Sequence, residues 1–161
     1  MIALGVDIAS KTGWSIVESQ GGREALLEYG IVDIANPTPL WEQIDAVLDK
    51  GRHVAVVALE LPYLAKENPH VLEVLARLCG QWEHACAIRG LEAVLVRSKT
   101  WQTAILRGLI TTSSKREQCK RAAQTWCRAT FGLDLPEDEA DATAIATWAL
   151  RTARARKLGI G

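Results

Sequence analysis

Residues 4–14 read LGVDIASKTGW, and this stretch holds the pattern that decides the fold. The apolar run Ile2–Asp7 ends in an acid and is typical of a buried strand. After a turn that contains Gly13, the run Trp14–Glu18 returns as a second strand. A glycine pair then predicts a hairpin, and Leu26–Ile34 predicts a third strand. The chain is therefore expected to open with three antiparallel strands.

Strands and helices alternate after this opening. His53–Leu59 is an almost continuous apolar run, the type of strand found in a sheet that is covered on both faces. Leu91–Val96 is predicted as a further strand. Apolar residues at helical spacing predict helices over residues 40–49, 71–89 and 99–106. The capping-box pair Ser114 and Glu117 predicts the start of a helix over 114–130, and Pro136 followed by acids predicts the start of one over 136–154. This order predicts a single α/β domain over residues 1–161, in which a mixed five-stranded sheet carries helices on both faces.

The composition is that of an ordinary globular protein, with 48% apolar and 24% charged residues. No apolar run approaches the roughly 20 residues of a membrane helix, and the N-terminus lacks the basic region of a signal peptide. The four cysteines show no CxxC spacing, which favours buried reduced thiols over a zinc site or disulfides. We expect a cytoplasmic protein with no membrane contact.

The net charge is zero, but the basic residues are concentrated in the second half of the chain. Residues 1–60 contain nine acids and four bases, whereas residues 97–128 contain eight bases and one acid. The C-terminal tail adds four more bases after residue 150. Such a distribution can form a phosphate-binding face that the total charge conceals, or simply a solvated helix surface. Charge alone does not decide between these two interpretations.

Four acids occupy positions that suggest a shared site. Asp7 ends the first strand, Glu60 ends the most apolar strand, and Asp138 and Asp141 lie three residues apart on one helix face. Buried carboxylates are costly unless something pairs with them. Hard oxygen ligands suit Mg²⁺ or Mn²⁺, and two such ions could clamp a phosphodiester during hydrolysis. We predict that these acids are catalytic metal ligands, although each alone also fits a structural role.

Three segments resemble RuvC-type Holliday-junction resolvases, which belong to the RNase H-like superfamily. They are LGVDIASKTGW at 4–14, VALELPYLAK at 57–66 and DEADATAIATW at 138–148, and the resemblance extends over nearly the whole chain. It implies an RNase H-like sheet and places the four acids on the family's catalytic positions. The family's Asp-Pro-Gly opening is Asp7-Ile8-Ala9 here, and the turn to Gly13 is one residue shorter. Since only Asp7 supplies a ligand there, we expect the site geometry to survive.

The same resemblance implies a set of DNA contacts and partners. Tyr63 matches an aromatic residue that stacks on junction bases, and Lys115 and Lys99 match basic residues near the scissile phosphate. Arg116, in the same basic region, is expected to contact DNA as well. The resemblance implies a homodimer built partly on the 71–89 helix, with two Mg²⁺ or Mn²⁺ ions per site, that nicks two symmetric strands of a four-way junction. The sequence identifies no branch-migration partner.

Three other interpretations stay open at this level. An RNase H-like nuclease that acts on RNA or RNA–DNA hybrids would use the same carboxylates. The segment GVDIASKTGWSIV also resembles the phosphate-binding hairpin of actin-like ATPases and sugar kinases. Those proteins need two such domains and lack an acid pair like Asp138 and Asp141. A catalytically idle DNA-binding module is disfavoured, because clustered carboxylates without a metal repel one another.

Overall fold

A computed structural model describes residues 1–51, 53–62, 69–111 and 113–159. The strands are β1 (Ile2–Asp7), β2 (Lys11–Gln20), β3 (Arg23–Asp33), β4 (Val54–Glu60) and β5 (Ala93–Val96). The helices are α1 (Leu40–Lys50), α2 (Pro69–Ile88), α3 (Ser98–Ile105), α4 (Arg116–Phe131) and α5 (Glu137–Lys157). Tyr63, predicted to stack on bases, lies outside the described residues. No helix of the described part is long and apolar enough to cross a membrane.

The sheet is mixed, with strand order β3-β2-β1-β4-β5. The first three strands are antiparallel neighbours, whereas β1, β4 and β5 run parallel. β1 is thus the central strand, and it lies between β2 and β4. Because β1 and β4 are parallel, their carboxyl ends meet at the same edge of the sheet.

Helices cover both faces of the sheet, as the sequence predicted. On one face, α3, α4 and α5 bury residues such as Ala3, Ala58 and Ile145. On the other face, α1 and α2 bury residues such as Leu4 and Trp82. Successive residues of β1 alternate between these two cores, which is the period-2 pattern of a strand with both faces buried.

Helix α5 lies unusually close to the sheet because two glycines face it. A Cβ atom on Gly5 would lie 2.2 Å from the carbonyl oxygen of Ala142, and one on Gly13 would lie 2.1 Å from that of Asp138. Next to them, the Ser15 hydroxyl lies 2.7 Å from that of Thr143. The glycines therefore fix how far the first turn of α5 can approach the end of β1.

The cysteines are free and buried, in agreement with the sequence analysis. Burial raises the pKa of Cys86 to about 11 and that of Cys127 to about 12. Thiolates at these positions are disfavoured at neutral pH, so the described cysteines pack as small apolar side chains.

Candidate active site at the carboxyl ends of β1 and β4

Asp7 and Glu60 end two neighbouring parallel strands on the face covered by α5. The residues before them, Val6 and Leu59, are register partners. Alternation along β1 puts Asp7 on the same face as Ala3, and alternation along β4 puts Glu60 there too. Burial raises the pKa of Asp7 well above its usual value, and the charge of Glu60 raises it further. The two carboxyl groups therefore lie within electrostatic reach of each other.

The first turn of α5 brings the other two predicted acids to this edge. Gly13 is the register partner of Asp7 and contacts the backbone of Asp138, which places the helix start beside β1. Asp141, one turn further, is only 8% exposed. Burial and then the charge of Glu60 raise the pKa of Asp141 from 3.8 to about 7. The structure thus brings all four predicted carboxyl groups together.

Two residues that the sequence analysis missed hold Glu60 in place. The Ser98 hydroxyl donates to one of its carboxyl oxygens, and the Trp101 indole nitrogen donates to the other over 2.8 Å. Burial nevertheless dominates, and the pKa of Glu60 is raised. Both donors lie on α3, which follows β5 at the same sheet edge. Trp101 within the predicted helix at 99–106 was the available signal, since an indole N–H that becomes buried needs an acceptor.

Lys120 of α4 also lies in the site, although the sequence analysis counted it only among the basic residues. Its ammonium donates to Glu137 over 3.0 Å and to Asp138 over 3.1 Å, and its side chain is 15% exposed. Burial opposes its charge, but these two hydrogen bonds outweigh burial and raise the pKa of Lys120. The sequence signal was its position three residues before Ala123 and seven before Cys127, both of which lie on the buried face of α4.

One of the predicted DNA-contacting residues, Arg116, lies near the carboxyl groups. The charge of Arg116 opposes the burial that raises the pKa of Glu60, so its exposed guanidinium lies within electrostatic reach of the site. Lys115, at the start of α4, is exposed, and Lys99 is exposed one residue after Ser98. Of these three described basic residues, Arg116 is the one whose charge acts on Glu60.

The basic C-terminal tail lies away from the site. From Asp138 to Arg154, α5 spans 16 residues, or about 24 Å at the helical rise. Arg151 pairs with Glu24 over 2.7 Å, and Arg156 lies 3.8 Å from Glu92. These contacts place the tail at the end of α5 far from the acids, and a role for the tail in binding phosphates stays a prediction.

The residues at this edge fit a divalent metal ion. One oxygen of Asp141, Oδ1, is buried and has no hydrogen-bond partner among the described residues. Carboxylate oxygens are the ligands that Mg²⁺ and Mn²⁺ prefer, and a cation would relieve the repulsion among the acids. In the described ranges, no group of three or more histidine, cysteine or acidic side chains is already arranged to hold an ion. The nearest cation to Asp138 is instead the ammonium of Lys120.

The mixed five-stranded sheet in the order β3-β2-β1-β4-β5, with helices on both faces, is the RNase H-like fold. Among solved structures with this fold, Thermus thermophilus RuvC is similar to this chain over 96% of both chains, with a TM-score of 0.73 and 22% sequence identity. The structure of T. thermophilus RuvC in complex with a Holliday junction substrate is similar over 99% of this chain and 97% of that chain, with a TM-score of 0.75 and 21% sequence identity. The fowlpox virus Holliday junction resolvase is similar over 95% of this chain and 99% of that chain, with a TM-score of 0.63 and 11% sequence identity.

The chain therefore has the fold of RuvC-type resolvases, as predicted from the three sequence segments. No protein-family model and no curated protein sequence matches it. The fold is shared with these structures over nearly the whole length of each chain, which leaves no large part of this chain without a counterpart.

Proposed function

We propose that this protein is a metal-dependent endodeoxyribonuclease that resolves four-way DNA junctions by paired symmetric nicks, in recombination or repair. The observation that carries the proposal is the group of four carboxyl groups at one sheet edge of a RuvC-type fold. Ordinary surface acids repel one another and spread apart, so a buried group of acids is typical of a cation site.

The acids at the ends of β1, β4 and the start of α5 would hold Mg²⁺ or Mn²⁺. The bound ion would stabilise negative charge on the phosphate and lower the pKa of the attacking water. Ser98 and Trp101 fix the orientation of Glu60, and the docking of α5 on Gly13 fixes that of Asp138. Arg116, exposed beside the site, would bind the phosphate backbone, so DNA binding weakens as salt rises.

Paired nicks in a symmetric junction require two sites, and we propose that a homodimer supplies them. The candidate interface is the outer side of α2. Its buried side packs on the sheet through residues such as Leu78 and Trp82, whereas Val71 and Ile88 near its two ends are 48% and 71% exposed. Burying such apolar side chains against a second copy would remove them from water.

The substrate experiment compares a labelled four-way junction, a matched duplex and an RNA–DNA hybrid, each with Mg²⁺ or with EDTA. Paired symmetric nicks in the junction that disappear with EDTA are the expected result. If the protein cuts mainly the hybrid, the metal site is supported but the substrate contains RNA. No binding and no cutting of any substrate would refute a nuclease function.

Removing the hydrogen bonds to Glu60 should weaken both metal binding and cutting. Trp101→Phe keeps a buried ring but loses the indole donor, and Ser98→Ala loses the hydroxyl donor. Groups that orient a metal ligand contribute about 10–100-fold to affinity or activity, and we expect each variant to lose roughly that much. Mn²⁺ titration and a nicking time course measure the loss. Thr103→Ala, an exposed position on the same helix, is the control and should change neither quantity.

Metal binding should be strongly pH-dependent because the pKa of Asp141 is about 7. Below this pH a divalent ion must displace its proton, so we expect Mn²⁺ affinity to rise about tenfold between pH 6 and pH 8. Without metal the trend reverses. An acid with a raised pKa in the folded state loses stability as pH rises from about 4 to about 7, since the unfolded chain has already released its proton.

Thermal unfolding in EDTA and in Mn²⁺ across this pH range measures both trends. Asp141→Asn should make the falling trend seen in EDTA shallower, and the remaining slope should come from Asp7 and Glu60, whose pKa values are also raised. If this variant keeps the full pH dependence of the wild-type protein, another group is responsible for it.

A further inference from the structure

The position of Lys120 is unusual for a residue of a basic DNA-binding helix. Its neighbours on α4, such as Arg116 and Arg121, are exposed, but its own side chain is largely buried. It bridges α4 to the first turn of α5 by contacting both Glu137 and Asp138. A buried ammonium requires compensating charge, and here that charge is part of the candidate metal site.

The electrostatic reach of Lys120 covers the whole group of acids. Its charge lowers the pKa of Asp7, Glu60 and Asp141 against the burial that raises them. It therefore already does what a divalent ion would do in this group, which is to offset the mutual repulsion of the carboxylates. Of the four acids, Asp138 is the one that Lys120 contacts directly, at 3.1 Å, and the same ammonium lies 3.0 Å from Glu137.

Asp138 and Asp141 differ sharply in how their oxygens are used. Asp138 is 30% exposed and accepts the ammonium of Lys120. Asp141 is 8% exposed, and its Oδ1 has no partner among the described residues. The acid with the unsatisfied buried oxygen needs a cation, whereas the acid already paired with an ammonium does not.

We propose that the ammonium group of Lys120 takes the place of a second divalent ion in this site. Lys120 neutralises Asp138, and Asp7, Glu60 and Asp141 together hold a single ion. This differs from the two ions per site expected from the sequence. The inference rests on the proposed nuclease function, since it divides the same four acids between an ion and a lysine.

The test is calorimetric titration of the purified protein with MnCl₂, without DNA, at about pH 8. We expect one Mn²⁺ per chain. Asp141→Asn should weaken binding by about a hundredfold or more, because it removes a ligand. Lys120→Met should tighten binding by about tenfold, because it removes a positive charge beside the ion.

The deciding variant is the double one, which removes the charges of both Lys120 and Asp138. Asp138→Asn alone should weaken Mn²⁺ binding by up to about tenfold, since it removes one negative charge beside the ion and leaves Glu137 as the acid paired with Lys120. The double variant with Lys120→Met and Asp138→Asn should return to within about threefold of the wild-type affinity. Lys120→Arg, which keeps the charge, and Arg121→Met, which removes an exposed charge on the same helix, should both bind like wild type.

Two results would overturn the role of Lys120 without touching the nuclease proposal: two Mn²⁺ ions bound to the wild-type chain, or a double variant that binds as weakly as Asp141→Asn. A wild-type chain that binds no Mn²⁺ would instead refute the metal site itself, and with it the proposed function. Thermal unfolding of each variant in EDTA verifies that it is folded before titration.

Discussion

Asp7→Asn should abolish cutting and leave junction binding intact. Asn is nearly isosteric with Asp, so the strand end keeps its shape while the central carboxylate loses its charge. Removing one preorganised charge-stabilising group costs about 10²–10³-fold in rate, and we expect a loss at the upper end of this range. Gel-based nicking of a four-way junction in Mg²⁺ measures the rate, and a mobility shift in Ca²⁺ or EDTA measures binding.

The same variant should be more stable than the wild-type protein without metal. Burial and the charges of Glu60, Asp141 and Asp138 raise the pKa of Asp7, so its ionised form destabilises the folded chain at neutral pH. A neutral Asn removes this cost. The melting temperature in EDTA should therefore rise by about 2–4 °C for each kcal/mol gained. Gain of stability with loss of cutting is a combination that simple misfolding does not produce.

Asp134→Asn is the matched control. Asp134 is also an aspartate near the start of α5, but it is 72% exposed and pairs with Arg128 on the surface. We expect this variant to cut like wild type and to melt within about a degree of it, as surface substitutions usually do. If Asp7→Asn also cuts at the wild-type rate in the same Mg²⁺ buffer, Asp7 is not part of an active site.

The carboxyl groups could be found from sequence because each leaves a local signal. An acid at the end of an apolar strand identifies Asp7 and Glu60, and an i, i+3 pair at a helix start identifies Asp138 and Asp141. The mixed sheet also follows from local patterns, since the alternation of strands and helices restricts the topologies available. Bringing Asp7 and Glu60 together then requires that β1 and β4 be parallel neighbours, and bringing in Asp138 and Asp141 also requires the docking of α5 on Gly13.

The partners of these acids could not be found in the same way. Ser98 and Trp101 contact Glu60 across 38 and 41 residues of sequence, and no local pattern specifies such pairs. The charge pattern was similarly ambiguous. Lys120 lies buried among the acids and Arg151 pairs with a distant Glu24, although in sequence both look like ordinary basic residues. Tertiary packing decides which charges face DNA and which are neutralised.

Element ends depend on contacts that the sequence only suggests. The sequence predicted the start of α4 from the pair Ser114 and Glu117. In the structure the helix begins at Arg116, and the side chain of Gln118 accepts from the backbone N–H of Lys115. β2 begins at Lys11 rather than Trp14, because Gly13 pairs with Asp7 across the sheet. Because β2 starts earlier, Gly13 lies within the strand and opposite Asp7.

Gly13→Ala is therefore expected to damage the site without changing any charged residue. A Cβ atom at position 13 would lie 2.1 Å from the backbone oxygen of Asp138 and 2.4 Å from its carbonyl carbon. Because these are backbone atoms, no side chain can move aside, and the first turn of α5 must shift. Overpacking of this kind costs about 1–3 kcal/mol. Misplacement of a reacting group by about 1 Å can cost a hundredfold in rate, so cutting should fall by about that factor.

Gly30→Ala separates this positioning effect from a general loss of stability. Gly30 lies on the neighbouring strand β3 and faces the ring of Trp14, in the core on the other side of the sheet. A Cβ atom there would lie 3.0 Å from a ring carbon, which a small rotation of the side chain can relieve. We expect a modest fall in melting temperature, whereas the cutting rate should equal that of the wild-type protein. If Gly13→Ala lowers stability to the same extent and still cuts normally, the docking of α5 on Gly13 does not position the carboxylates. If only Gly13→Ala loses cutting and Mn²⁺ affinity together, the close approach that this glycine permits is what assembles the site.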